Sequence, residues 1–104
     1  MFMKSIKGEI VMEKAILKEY LLGKIESQAN ISAMKYRRGH YSGACAYFHS
    51  AEQYGEMYGV FFADENENAE FEYIEIMQKV CKRWDVDYRT WFDAMCDYVY
   101  VKEC

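Results

Sequence analysis

The chain has 104 residues, 52% of them hydrophobic and 17% aromatic, with 6 glycines and no proline. That is apolar mass for a single core and one domain over 1–104, and the proline-free runs of Ala, Glu, Lys, Met and Leu favour helices with short connections over a sheet. The net charge of −4 divides into +3 over residues 1–52 (eight Lys/Arg, five Asp/Glu) and −7 over 53–104 (five and twelve), a balance that argues against a long nucleic acid as ligand while suiting protein partners or self-association.

At the N-terminus, Glu9, Glu13 and Lys14 interrupt the apolar residues well short of a membrane span or an export core. The expectation is a cytoplasmic protein without a membrane segment, and the four cysteines, with no Cys-x-x-Cys pair, read as reduced thiols. A first helix is predicted over 9–38, its core stripe formed by Val11, Ala15, Leu22, Ile25, Ala29, Ala33 and Tyr36. It runs through Gly23 and is interrupted by Lys18. Its first half is apolar on a second side, at Ile10, Ile16, Leu17, Tyr20 and Leu21. Either a four-helix core covers that side, or it is a homodimer face made by Ile10, Leu17, Tyr20 and Leu21.

Residues 37–43 then form a turn in which Gly39 suits the left-handed position after a helix, the basic side chains complement the helix C-terminus, and Ser42 is a cap for the second helix. That helix is predicted to end near Ala63, with a core stripe of Ala44, Phe48, Ala51, Gly55, Tyr58 and Phe62. A polar linker, Asp64 to Asn68, precedes a third helix buried through Tyr73, Ile74, Met77, Val80, Cys81 and Trp84. The stretch Trp84 to Tyr88 breaks it, with Asp85 or Asp87 as the next N-cap, and a fourth helix buries Tyr88, Trp91, Phe92, Met95, Tyr98 and Val99. The architecture this implies is all-α: about four helices in an antiparallel up-down bundle built around the central hairpin 31–62.

Within that hairpin, Ile31, Ser32, Gly39, Tyr41, Ala44, Phe48 and Ala51 resemble one tetratricopeptide motif, including its Ala-x-x-x-Phe second helix. Lys35 and Gln28 stand where that family has aromatics, no proline follows, and no second repeat appears 34 residues on, so the resemblance implies hairpin geometry and not a peptide-binding solenoid. In overall style the chain is similar to small helical proteins of phages and mobile elements, among them inhibitors of host defence.

Three sets of residues are candidates for function. The first is acidic, Asp64, Glu65, Glu67, Glu70, Glu72 and Glu75, and suits docking onto a basic protein surface or simply a favourable helix start. The second is the basic turn, Lys35, Tyr36, Arg37, Arg38, His40 and Tyr41, whose cations and aromatic rings have the composition of a site for a small phosphorylated or nucleotide ligand. The third is Cys45, His49, Glu52 and Glu56, on one stripe of the second helix; the residue types are metal ligands, but their spacing fits no closed zinc motif. The balance favours a non-enzymatic protein-binding protein, possessed of no metal or other cofactor and acting as an inhibitor of a host protein. The alternative is a binder of phosphorylated ligands.

Overall fold

A computed structural model describes residues 2–62 and 69–103, with side chains over 13–62, at 69 and over 71–97. Over these described residues it is all-α, with four helices: α1 (Phe2–Arg37), α2 (Tyr41–Phe62), α3 (Ala69–Arg83) and α4 (Tyr88–Glu103). The longest dimension, 57 Å, is set by α1, since 36 residues at about 1.5 Å each span about 54 Å. The helix starts earlier than periodicity indicates, because a lone glycine such as Gly8 costs only about 1 kcal/mol and does not break a helix.

The turn between α1 and α2 closes as a Schellman motif. The His40 N–H donates to the Lys35 carbonyl at 2.9 Å and the Gly39 N–H to the Tyr36 carbonyl at 3.0 Å, with Gly39 at φ +81°. The Ala44 N–H donates to the His40 carbonyl, so α2 starts at once and Ser42 lies inside its first turn, not at the cap. A second motif of the same kind ends α3: Val86 N–H reaches the Cys81 carbonyl at 2.9 Å and Asp85 takes the left-handed position at φ 55°. Asp85 is therefore the terminator of α3 and Asp87 alone caps α4, accepting from both the backbone N–H and the hydroxyl of Thr90. Those two bonds hold the Asp87 carboxyl below its ordinary range.

α1 and α2 run antiparallel, with Tyr36 against Tyr41, Ser32 against Ala44 and Tyr20 against Tyr54. On that register Phe62 lies level with about residue 13, and the backbone of residues 2–12 continues past the end of α2. The core runs through Leu21, Ile25, Ala29 and Ala33 on α1 and Ala44, Phe48, Ala51, Tyr58 and Phe62 on α2. Small residues at Ala29, Ala33, Ala44 and Ala51 let the two backbones approach, and larger side chains from the other helices fill the remaining space.

α3 and α4 cover different parts of the hairpin. The Tyr58 hydroxyl donates to the Glu72 carboxylate, and the Tyr73 ring lies so close to Gly55 that a Cβ there would come within 2.5 Å of it. At the turn end, Phe48 meets Trp91 edge-on at 5.0 Å and Phe92 at 5.5 Å, and the Cys45 thiol is directed at the Met95 carbonyl. Glu26 and Asn30 bind Arg83 at 2.8 and 3.1 Å, Asn30 also accepts from the Trp84 indole at 2.7 Å, and Arg37 donates to the Trp84 carbonyl. These contacts tie α1 to the end of α3.

Ser32 is fully buried on α1; its hydroxyl donates to the Ala44 carbonyl at 2.6 Å and accepts from the Trp91 indole at 3.1 Å. Ser32→Ala is expected to cost about 1–3 kcal/mol in urea unfolding, because it leaves the buried Trp91 N–H without its acceptor. Gly39→Val is expected to cost about 1–2 kcal/mol through strain at positive φ, whereas Gly23→Ala should raise stability by about 0.5–1 kcal/mol, since a Cβ at Gly23 meets nothing within 4 Å. Opposite shifts in melting temperature would show that the two glycines serve different ends.

Candidate interaction surfaces

The acidic set separates once the fold is in place. Asp64, Glu65 and Glu67 lie outside the described residues, as does the side chain of Glu70. Glu72 is engaged with Tyr58. Glu75 is exposed and shares an open groove of about 440 Å³ between α1 and α3 with Lys18, Leu22, Glu72, Ile76 and Lys79, so lysines stand beside the α3 carboxylates. Part of this acidic set thus serves the fold.

The basic turn is divided in the same way. Arg37 is bound to the Trp84 carbonyl and lies 3.8 Å from Asp85, so it closes the end of α3 instead of facing a ligand. The stem of Lys35 packs against Gly43, its amine sits 6.0 Å from the Tyr47 ring, and Tyr36 and Tyr41 lie against each other at 5.5 Å. Arg38 and His40 remain exposed. Only part of the predicted anion site is therefore directed outward.

Along the third stripe, the Cys45 thiol is buried towards Met95, while His49 Nδ1 lies 3.3 Å from Glu52 Oε1. Among the described residues no three His, Cys, Asp or Glu side chains come together as a metal site. Burial raises the Glu52 carboxyl above its usual value of 4.5 and outweighs the lowering by His49. Burial and the Glu52 charge push the Tyr73 phenol up well beyond its ordinary range, and burial pushes the Cys81 thiol up to about 12. A thiol that stays protonated at neutral pH is a poor nucleophile.

The homodimer set is also redistributed. Leu21 is 2% exposed and belongs to the core, so its place at an outer interface is corrected; Leu22, assigned to the core, is half-buried against it and also lines the α1–α3 groove. The adjacent leucines serve two different neighbours, α2 and α3. Leu17 is half-buried against the core, Tyr20 is 52% exposed, and the Ile10 side chain is outside the described residues. Ala15, another predicted core position, is exposed.

Ile16, read from periodicity on the second apolar side of α1, is exposed; what periodicity does not locate is the rest of the exposed apolar surface: Met57, Val60, Phe61 and Phe71. Ile16 and Tyr20 lie one turn apart on α1, and Tyr54, Met57 and Phe61 succeed one another at three and four residues on α2. The Tyr20 and Tyr54 rings, 6.4 Å apart, join the two rows into one outer face of the hairpin. Val60 and Phe71 stand on the turns that lead into and out of the acid-rich segment 63–68. The final turns of α2, Met57, Tyr58, Val60, Phe61 and Phe62, are apolar almost all round, while only Tyr58 and Phe62 point inward.

Among the described residues no helix is long and apolar enough to cross a membrane. No family model matches the chain, and no curated protein or solved structure shows significant similarity to it.

The Glu52 environment gives a pH signature. Burial favours the neutral carboxyl, so the folded chain keeps that proton to higher pH than the unfolded chain. The contribution is complete below the usual 4.5 and is lost as pH rises through the higher folded value. Glu52→Gln is therefore expected to raise the melting temperature at pH 7 relative to the unsubstituted protein, with the difference vanishing near pH 4. An equal shift at both pH values would assign the effect to packing.

Proposed function

We propose that this protein acts by binding another protein, at the end of the bundle where α2 leads into residues 63–68 and α3 leads out of them. The observation that carries this reading is the exposure of two large apolar side chains there: Val60 is 80% and Phe71 63% exposed. They flank a sequence that contains Asp64, Glu65, Glu67 and Glu70, and Glu75 is exposed one turn further along α3. Exposed apolar side chains beside an acid-rich sequence fit a partner with an apolar contact and a Lys/Arg rim, the apolar part supplying affinity and the charges supplying rate and orientation. Occluding a basic surface is also the means of inhibition open to a chain of this size, and a cytoplasmic location is consistent with the reduced thiols of Cys45, Cys81 and Cys96. The phosphate-ligand alternative has less support, because Arg37 and Lys35 are already engaged within the fold.

A photo-crosslinking residue at Phe71 is expected to form a covalent adduct with a partner in an extract of the source cells, while the same residue at Tyr41, exposed at the opposite end, forms none. Val60→Ser with Phe71→Ser should abolish the adduct formed from a crosslinker at Glu75 yet change stability by less than about 1 kcal/mol, as exposed positions do. Adducts formed at Tyr41 and not at Phe71 would transfer the binding site to the basic turn.

A further inference from the structure

We draw no further inference here: the strongest candidate, the outer apolar face of the α1–α2 hairpin at Ile16, Tyr20, Met57 and Phe61, is exposed with nothing in the structure to show what covers it.

Discussion

A single hydroxyl fixes how three helices meet. Ser32 donates to the Ala44 carbonyl across the hairpin and accepts from the Trp91 indole of α4, all inside a core where an unmet polar group costs more than a made hydrogen bond returns. Hydrophobic burial alone would allow α4 to slide along the hairpin, since one apolar contact exchanges readily for another. The indole N–H removes that freedom, because only one position brings it to the serine. With Trp91 fixed, Phe48 is enclosed edge-on by Trp91 and Phe92, and the Tyr88 ring lies against both of them. The placement of the fourth helix thus depends on one polar atom as much as on the aromatic side chains around it.

The polar contacts outside the core repeat the theme at lower burial. Asn30 accepts from both Arg83 and the Trp84 indole, and Arg37 satisfies the Trp84 carbonyl, one of the last carbonyls of α3 left without an intrahelical partner. A basic side chain at one helix end therefore closes the end of another. This is why the composition of the turn overstated an anion site: Lys and Arg near a glycine look alike in sequence whether they face a phosphate or a neighbouring helix carbonyl.

Much of the fold was legible in the residues. Gly39 announced its left-handed turn, the α2 stripe from Ala44 to Phe62 turned inward as its spacing required, and the break between Trp84 and Tyr88 fell where its aspartates indicated. The alternatives left open and the errors have local causes. Asp85 adopts positive φ, which a short polar side chain tolerates, so two aspartates with equal capping propensity took opposite duties. Leu21 and Leu22 are equally apolar and one residue apart, and the choice of which faces α2 rests on a rotation of about 100° that a long stripe interrupted by Lys18 leaves undetermined. Glu72 reads as one acid among six, and nothing local reveals that a buried tyrosine fourteen residues away uses it.

The exposed apolar surface was the least legible part, for a physical reason. Periodicity detects the face of a helix that differs from the rest, and where every face is apolar there is no contrast to detect. The end of α2 is such a place: Met57, Val60 and Phe61 share its last turns with the inward Tyr58 and Phe62. Gly23 is obscured in the opposite way. A glycine inside a 36-residue helix costs stability and looks like a tolerated imperfection, until the backbone shows open space above it and a row of large side chains one turn away. Small residues have no side chain with which to mark a contact surface, so their meaning lies in what approaches them. On this hairpin large exposed residues, Ile16, Tyr20, Met57 and Phe61, stand towards one end, and Gly23, with open space above it, lies nearer the turn.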